Sequence, residues 1–382
     1  MRSHSRDRLS VARIPWTTDD NPYQRAVYGS LTSHGVDLIG TADLSDAWLA
    51  EPSRRPDVLH IHWSLHRLAD DAPQGLDTAT WVCDRLDRVQ RTGTTLAWTV
   101  HEPGALLDPA DPFRSTVERH LLAHVDLAIV HDEPTARFVG NLAGPMRDRP
   151  LPIATAPLGD YRPFVVPATS EPRDLDESRA RLSIRPDVRV VLAQGALRAD
   201  KDLPLLVTAF DLLDRPEVVL AIAGREIDQP TSRFLRSLDR PDIRVLPGRL
   251  APETVSTHHR IADLAVLARR VDWTPSSMLF AVAHDTPVVA ADLPTSRAAL
   301  GDRGATWATP GDPEALADAL RRALDDPMEA AATLHAARVH IASRSWDRSA
   351  GITARAFRSA VAARRAAHRA VNREPEPVTA TS

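Results

Sequence analysis

The chain has 382 residues, 43% of them hydrophobic and 26% charged, which is typical of a globular protein large enough for two or three buried cores. Its formal net charge of -4 argues against a nucleic-acid-binding protein built on an overall basic field. A single cysteine, Cys83, excludes an internal disulfide framework and cysteine-rich zinc sites. The sequence contains no apolar run of transmembrane length and no signal-peptide pattern after Met1, so we expect a cytoplasmic protein.

Lysine and arginine together total 47, yet Lys201 is the one lysine of the chain. A P-loop requires Gly-Lys-Ser/Thr after a glycine-rich turn, whereas Lys201 lies between Asp200 and Asp202, so that class of nucleotide-binding protein is excluded. The two acidic neighbours are expected to raise the pKa of the amine, which disfavours a Schiff-base or pyridoxal enzyme.

In the first half of the chain, short apolar runs alternate with longer helical patterns, as in βαβ units with a parallel sheet. The predicted strands are Leu9 to Ile14, Val36 to Gly40, Val58 to His62, Thr95 to Val100, Leu127 to Val130 and Leu151 to Ala156. Helices are predicted at Pro22 to His34, Asp77 to Arg91 and Pro134 to Leu142. A proline-rich stretch, Pro157 to Pro172, is typical of a linker between domains.

The second half repeats the alternation. Its predicted strands are Val188 to Ala193, Val218 to Ala223, Ile243 to Leu246, Leu264 to Leu267, Pro287 to Ala291 and Ala305 to Trp307. Helices are predicted at Leu203 to Leu213, Pro230 to Leu238, Pro252 to Ile261, Pro275 to Ala283 and Pro313 to Leu324, several with proline in the first turn, where its missing N–H costs nothing. From Pro327 the pattern stays helical to about Asn372, and both chain ends are predicted to be disordered.

This pattern predicts an α/β fold with two doubly wound sheets, whose ligands bind at the carboxyl ends of the strands. Neither half carries Gly-x-Gly-x-x-Gly after its first strand, which disfavours a dinucleotide-dependent dehydrogenase.

Two segments of the second half are candidates for phosphate binding. After its first predicted strand, Gly195 permits a tight turn, and Arg198 and Lys201 follow in the loop as two cations suited to a diphosphate. Solvated loop charges paired with neighbouring aspartates are the alternative. Further on, Asp272 to Met278 leads into a helix whose N-terminal amides, with the hydroxyls of Ser276 and Ser277, suit a phosphate. An ordinary N-cap by Thr274 is the alternative there.

These motifs resemble the GT-B glycosyltransferases, particularly family 4. The resemblance in the second half rests on Gly195, Arg198, Lys201, Ala223-Gly224, Ala262-Asp263-Leu264, Thr286 to Ala290, the helix opening at Gly311 and Ser345 to Asp347. The first half resembles a subgroup with Asn-Pro-Tyr-Gln at Asn21 to Gln24, His-x-His-Trp at His60 to Trp63 and Trp-Thr-Val-His at Trp98 to His101.

The resemblance implies a GT-B fold of two Rossmann-like domains facing a central cleft. It implies an acceptor-binding domain over 8–160, a linker over 161–184 and a nucleotide-sugar-binding domain over 185–343. A C-terminal helix over 344–372 would pack back toward the N-terminal domain, and a disordered tail would occupy 373–382.

By the same resemblance, Arg198 and Lys201 would neutralise the leaving diphosphate without a metal or other cofactor. The Ser276 and Ser277 amides would complete that cradle, and Gly224 and Arg249 would lie near the ribose and base. Asn21, Tyr23, Gln24, His62, Trp63 and His101 would contact the acceptor.

Two positions depart from the family pattern. The family usually has two glutamates eight residues apart that bind the donor sugar and the ribose, whereas this chain has Asp272 and Phe280. Asp272 can still accept sugar hydroxyls, but Phe280 offers no oxygen to a ribose. Leu158 stands where the family often has a histidine. The site is therefore either completed by other contacts or degraded.

In the first half, His101 and Glu102 follow a strand and are the candidates for a general base or for orienting the acceptor, with a structural histidine as the alternative. His60 and His62 alternate onto one strand face, as a metal-binding pair does, which raises the alternative of a metal-dependent amidohydrolase with a carbamylated Lys201. Trp16 and Trp63 are candidates for stacking on a sugar ring or for the core.

The sequence thus predicts a hexosyltransferase of the EC 2.4 class that uses a UDP- or GDP-sugar and a glycan, lipid-linked or small-molecule hydroxyl acceptor, with retention of anomeric configuration and without a metal. A catalytically degraded GT-B scaffold that binds a partner is the alternative. Arginines from Arg355 to Arg373 on the last helix suggest peripheral contact with the inner face of a membrane, or a solvated helix face.

Overall fold

The computed structural model describes residues 8–14, 22–41, 44–51, 55–63, 65–102, 106–166, 179–180, 182–272 and 276–371. Contacts divide the chain into two units. The first holds the chain up to Pro157 and again from Trp346, and the second runs from Leu158 to Ser345. Each unit is built on one six-stranded parallel sheet. Within the described residues, no helix combines the length and apolar character needed to cross a membrane.

The first unit follows the predicted alternation of strands and helices. Its strands are β1 (Leu9–Ile14), β2 (Val36–Thr41), β3 (Val58–Ile61), β4 (Thr95–Thr99), β5 (Leu127–Val130) and β6 (Ile153–Thr155). Its helices are α1 (Tyr23–Leu31), α2 (Asp46–Ala50), α3 (Thr78–Arg91), α4 (Pro112–His124) and α5 (Glu133–Ala143). The predicted helix from Pro22 to His34 is α-helical only to Leu31 and ends in a 3₁₀ turn at Thr32–His34.

Local chemistry explains where these elements lie. Strands β3, β4 and β5 are buried along their whole length, because helices cover both faces of a parallel sheet and each strand is therefore a continuous apolar run. Aspartates cap three of the helices: Asp77 accepts from Ala79 N at 3.1 Å, and Asp111 and Asp132 cap α4 and α5 in the same way.

The second unit is organised likewise. Its strands are β7 (Arg189–Gln194), β8 (Val218–Gly224), β9 (Ile243–Pro247), β10 (Leu264–Leu267), β11 (Val288–Ala291) and β12 (Thr306–Ala308). Its helices are α6 (Leu203–Leu213), α7 (Gln229–Arg236), α8 (Pro252–Ile261), α9 (Ser276–Ala283), α10 (Pro294–Leu300), α11 (Pro313–Asp325) and α12 (Pro327–Ile341). Every predicted strand of both units is confirmed, with ends within one or two residues of the prediction.

The strand orders fix where a ligand would bind. The first sheet has the order β2-β1-β3-β4-β5-β6 and the second β12-β11-β10-β7-β8-β9. The order reverses beside β1 and β3 in the first sheet and beside β7 and β10 in the second. In doubly wound folds the carboxyl ends of the strands at such a reversal form the binding crevice.

The last helix, α13 (Trp346–Val371), belongs to the first unit although the chain before it belongs to the second. The continuous helical stretch predicted from Pro327 is wrong in one respect: it is interrupted between Ile341 and Trp346, where the chain passes from one unit to the other. Small buried residues, Ala350 and Ala354, let α13 lie close to its neighbours, and Arg364 donates to Gln90 O at 2.7 Å.

Several sequence predictions lie outside the described residues. These are the two chain ends at 1–7 and 372–382, the part of the predicted linker at 167–178, Trp16, Asn21 and the stretch 273–275 that contains Thr274.

Candidate functional site

Two glycines bring the strand ends of the second unit into direct contact. Gly195 follows β7 with φ of +127° and Gly224 ends β8 with φ of +144°, which are backbone conformations that favour glycine. A Cβ atom on Gly224 would lie 1.8 Å from the Gly195 carbonyl oxygen, and Gly195 N donates to Ala223 O at 3.0 Å. The loop after β7 can therefore lie where it does only because position 224 has no side chain.

After this close approach, the loop that follows β7 runs beside the end of β8. Leu197 N donates to Arg225 O at 2.8 Å, and a 3₁₀ turn over Ala199–Lys201 follows. The turn places the Lys201 amine 3.6 Å from where a Gly195 Cβ would lie and within 3.4 Å of the Ser277 hydroxyl, to which it donates. The structure thus brings together two of the residues that the sequence predicted for diphosphate binding.

The cations at this strand edge include Arg198, Lys201 and Arg269. Arg198 is about a quarter exposed and donates through Nε to Asp200 Oδ1 at 2.8 Å. Lys201 is only 8% exposed, and Arg269, which follows β10, is 5% exposed. Because β7 and β10 are neighbours at the reversal of strand order, Arg269 is close enough for its charge to act on Lys201 although the two are distant in sequence. Sequence reasoning missed Arg269; its position two residues after an apolar strand was the available signal.

The pKa shift of Lys201 is opposite to the prediction. Burial, together with Arg269 and Arg198, lowers the pKa of Lys201 well below its usual value, against the opposing effect of Asp200. The predicted rise is wrong because burial and the two arginines outweigh Asp200, which itself accepts a hydrogen bond from Arg198, while Asp202 is paired with Arg270.

Four further residues were predicted to bind the donor: Ser276, Gly224, Arg249 and Asp272. Ser276 begins α9 and is half-buried, Gly224 is buried, and Arg249 is exposed just after β9. Asp272 is tied to α10, since its Oδ1 accepts from Thr295 N at 3.2 Å and from the Thr295 hydroxyl.

The two departures from the family pattern fill packing positions. The Phe280 ring lies 4.5 Å from the ring of Tyr161, which is 1% exposed, and Leu158 is 4% exposed. Phe280 and Leu158 are thus part of the hydrophobic packing of the second unit, and neither presents a polar group.

In the first unit, a histidine follows each of three adjacent strands: His62 after β3, His101 after β4 and His131 after β5. His62 Nδ1 and His101 Nε2 are 3.2 Å apart, as are His101 Nδ1 and His131 Nε2. Tyr28 extends the series, since its hydroxyl lies 2.8 Å from His62 Nε2 and 2.7 Å from His60 Nδ1. We call these side chains the histidine chain.

One carbonyl group fixes the direction of every hydrogen bond in the histidine chain. His131 Nδ1 lies 3.0 Å from Ala156 O, which can only accept, so Nδ1 carries the proton and Nε2 of the neutral ring accepts. His101 Nδ1 must then donate to His131, and His62 Nδ1 must donate to His101. The Tyr28 hydroxyl in turn donates to His62 and accepts from His60 Nδ1. The Thr99 hydroxyl completes the series by donating to His60 Nε2 at 2.7 Å.

Burial supports this neutral arrangement. It lowers the pKa of His60 to about 3 and lowers the pKa values of His62, His101 and His131 as well, the neighbouring rings adding to the effect at His62 and His101. Both ring nitrogens of His101 are bonded within the histidine chain, and Nε2 is the one that carries the lone pair. The role of His101 as a base or orienting group stays a prediction, and in this arrangement its Nε2 accepts from His62 Nδ1.

The aromatic residues predicted to contact an acceptor gather around the histidine chain. The Tyr23 ring lies 4.8 Å from His101 and 5.1 Å from His131. Trp63 is half-buried with its ring 4.1 Å from His101, whereas Gln24 is fully buried. Trp63 and His101 are therefore the more accessible residues of this group.

Glu102 is held by an ion pair. Arg114 Nη1 lies 2.8 Å from Glu102 Oε2, and Arg114 Nε donates to Glu118 Oε1 at 2.5 Å. Glu118, which is fully buried, also accepts from Leu107 N at 2.6 Å. Arg114 therefore positions Glu102 directly after His101.

The amidohydrolase alternative is wrong on structural grounds. It requires a closed barrel of eight units, whereas the chain forms two open six-stranded sheets, with His60 and His62 on one and Lys201 on the other. Both histidines bond to Tyr28. Among the residues described, no group of three or more His, Cys, Asp or Glu side chains is placed to hold a metal ion.

Two Rossmann-like units define the GT-B class, and solved glycosyltransferases share the fold. Sucrose-phosphate synthase from Thermosynechococcus elongatus superposes with a TM-score of 0.71 at 18% identity, over 93% of this chain and 100% of that one. Anabaena HepE, solved with UDP and glucose, gives a TM-score of 0.64 at 13% identity, over 92% of this chain and 100% of that one.

Sequence comparison identifies the family. Residues 174–340 match the model described as glycosyl transferases group 1. The D-inositol 3-phosphate glycosyltransferase of Kineococcus radiotolerans is 31% identical over 345 residues, which cover 84% of this chain and 75% of that protein. The chain belongs to the group 1 glycosyltransferases and is a transferase of the EC 2.4 class.

Proposed function

We propose that this enzyme transfers a hexose from a UDP- or GDP-sugar to a hydroxyl group of a sugar, polyol or lipid-linked acceptor. The observation that carries the proposal is the Lys201 amine beside the Ser277 hydroxyl, with Arg198 and Arg269 also at the carboxyl ends of β7 and β10. Fixed cations at such a reversal of strand order suit a diphosphate. The UDP found with HepE supports the same class of donor.

The proposed chemistry breaks the bond between the anomeric carbon and the β-phosphate oxygen of the donor. Negative charge then grows on the leaving diphosphate while the sugar becomes oxocarbenium-like. Cations that are already in place stabilise this charge more in the transition state than in the ground state. Lys201 and Arg198 are proposed to supply the stabilisation without a metal, and we propose retention of anomeric configuration.

The acceptor is proposed to bind to the first unit, at the edge where Trp63, His101 and Glu102 lie. Trp63 offers a half-buried ring for stacking on a sugar or polyol. Glu102, positioned by Arg114, can accept acceptor hydroxyls. The histidine chain takes His60 and His62 from the His-x-His-Trp segment and His101 from the Trp-Thr-Val-His segment, and Tyr23 of the Asn-Pro-Tyr-Gln segment packs against it. We therefore propose that the subgroup carrying those motifs shares this acceptor edge.

The proposal is tested by transfer and donor-hydrolysis assays with UDP- and GDP-sugars, and NMR of the product's anomeric proton checks retention. Lys201→Ala and Arg198→Ala should each reduce kcat at least about ten-fold, since each removes a charge that stabilises the leaving group. Arg185→Ala is the matched control, because Arg185 is an exposed cation of the same unit paired only with Asp187 in the described part of the chain.

Two outcomes would contradict the proposal. Unchanged kinetics in both site variants would remove Lys201 and Arg198 from the mechanism. No turnover and no nucleotide binding by calorimetry would favour the degraded scaffold, in which Phe280 and Leu158 mark a lost site.

A further inference from the structure

His101 is held by both of its ring nitrogens. Its Nε2 lies 3.2 Å from His62 Nδ1, and its Nδ1 lies 3.2 Å from His131 Nε2. The two partners come from the strands on either side of β4, since His62 follows β3 and His131 follows β5. The sheet therefore holds the His101 ring from two directions, and the ring cannot turn without breaking one of these bonds.

His131 decides which way the two bonds run. Its Nδ1 donates to the Ala156 carbonyl oxygen at 3.0 Å, so its Nε2 accepts as long as the ring is neutral. His131 is 5% exposed, which shields both of its bonds from bulk water. His101 must in consequence carry its proton on Nδ1 and its lone pair on Nε2.

This arrangement leaves His101 without a nitrogen to offer a substrate. A neutral imidazole has one N–H group and one lone pair, and here the N–H donates to His131 while the lone pair accepts from His62. To take a proton from an acceptor hydroxyl, Nε2 would have to release the buried His62 N–H and leave it without a partner. The imidazolium so formed would lie against neutral rings, and burial already lowers the pKa of His101.

His101 does offer a ring surface. Its ring centroid lies 4.1 Å from that of Trp63 at an interplanar angle of 77°, which is the edge-to-face geometry that aromatic pairs favour. Tyr23 and His62 also contact the Trp63 ring, with centroids at 5.9 and 5.6 Å. Trp63 is half-buried, so part of its ring stays accessible. A ring that is already fixed loses less conformational entropy when a sugar or polyol stacks on it.

We propose that His131 is a positioning residue for the acceptor edge: by fixing the tautomer and orientation of His101, it fixes the Trp63 ring on which the acceptor stacks, and His101 exchanges no proton with the substrate. The inference rests on the proposed function, because it requires the acceptor to bind at this edge. His131 thereby acts on the acceptor through two other rings and does not touch it. Of the two roles considered for His101, orientation of the acceptor is retained and general base is not.

Kinetics of transfer to a sugar and a polyol, glucose and myo-inositol, separate positioning from proton transfer. His101→Gln and His131→Phe should each raise the acceptor KM by about 3- to 10-fold, the cost of ordering one loosened side chain, with the loss in KM and not in kcat. Removal of a general base would instead lower kcat by about 10²- to 10⁴-fold and change its pH profile. A loss confined to kcat overturns the proposal.

Donor hydrolysis provides an internal reference, because it requires no bound acceptor. At low acceptor concentration the ratio of transfer to hydrolysis should fall in His131→Phe by the same factor as KM rises. General damage to the fold would lower both rates together and leave the ratio as it is, which would also overturn the proposal. His258→Phe is the matched control, since His258 is a buried histidine of the second unit, 3% exposed, and should keep the wild-type ratio.

His131→Gln is the conservative variant. Its amide oxygen can accept from His101 Nδ1, so it should recover most of the acceptor affinity that His131→Phe loses. An acceptor KM as high as that of His131→Phe would contradict the role given to the hydrogen bond.

Long-range ¹⁵N NMR of histidine-labelled protein reads the tautomer without any substrate. His101, assigned from the signals that disappear in His101→Gln, should be protonated on Nδ1 in the wild type and in His131→Gln, and should lose that preference in His131→Phe. An unchanged tautomer in His131→Phe overturns the positioning role. Absence of both transfer and hydrolysis in the wild type overturns the proposed function, while the tautomer still decides whether His131 fixes His101.

Discussion

Gly224 is the position where a single methyl group should do the most damage. The Cβ of Gly224→Ala would lie 1.8 Å from the Gly195 carbonyl oxygen and 2.8 Å from its carbonyl carbon, and both of these are backbone atoms that cannot rotate away. The substitution would also place alanine at φ of +144°. The variant must therefore separate the ends of β7 and β8, which carry the loop with Lys201.

The magnitude follows from two contributions. A side chain at positive φ costs about 1–2 kcal/mol, and forcing atoms into a closely packed site costs a further 1–3 kcal/mol or so. Gly248→Ala carries the first contribution without the second, because Gly248 has φ of +121° but no atom of another residue within 4 Å of the added Cβ. Both variants share the small gain from a stiffer unfolded chain, so that contribution cancels in the comparison.

Differential scanning calorimetry provides the comparison. For a unit of this size, Gly248→Ala should lower Tm by a few degrees and Gly224→Ala by about 10 °C or more. Gly224→Ala should also weaken UDP or GDP binding in the folded fraction, whereas Gly248→Ala should leave the loop with Lys201 in place. Equal shifts in Tm for the two variants would refute the argument that backbone contact between Gly195 and Gly224 governs this site.

Three predictions concern buried histidines. Burial lowers the pKa of His60 to about 3 and that of His258 to about 4, below their unfolded values near 6.5. In acid the unfolded state therefore binds more protons than the folded state. The stability that comes from keeping these rings neutral is complete above about pH 6.5 and is lost as pH falls. Urea unfolding should show the free energy falling by about 1.4 kcal/mol per pH unit for each such histidine as pH decreases below about 6, and a constant free energy from pH 7 to pH 5 would contradict this. Tyr28→Phe removes the hydroxyl between two buried rings and should destabilise the protein by about 2–4 kcal/mol, measured by the same unfolding; a loss below about 0.5 kcal/mol would show that water replaces it. Long-range ¹⁵N NMR of labelled histidine should find His62 and His131 protonated on Nδ1, and an Nε2 proton on either would contradict the direction set by Ala156.

Local sequence pattern determined the elements of this fold. Apolar runs such as Val218 to Ala223 placed the strands to within two residues, and proline or aspartate in the first turn placed most of the predicted helices to within a few residues, because pleat, helical repeat and capping act over short distances. Helices α2, α4 and α10 had no individual prediction. The glycine, arginine and lysine after β7 were visible for the same reason, since they lie together in one loop.

The order of strands in each sheet decided the rest. Arg269 joins Lys201 because β10 lies beside β7, and His131 joins His101 because β5 lies beside β4, although long stretches of chain separate the members of each pair. The pKa of Lys201 also depends on that arrangement. Its sequence neighbours are acidic and predicted a raised pKa, but folding buries the amine and brings the charge of Arg269 to bear on it, and these two effects outweigh Asp200 and reverse the sign of the shift. Protonation depends on what surrounds a group in space, and the sheet brings those surroundings from distant parts of the chain.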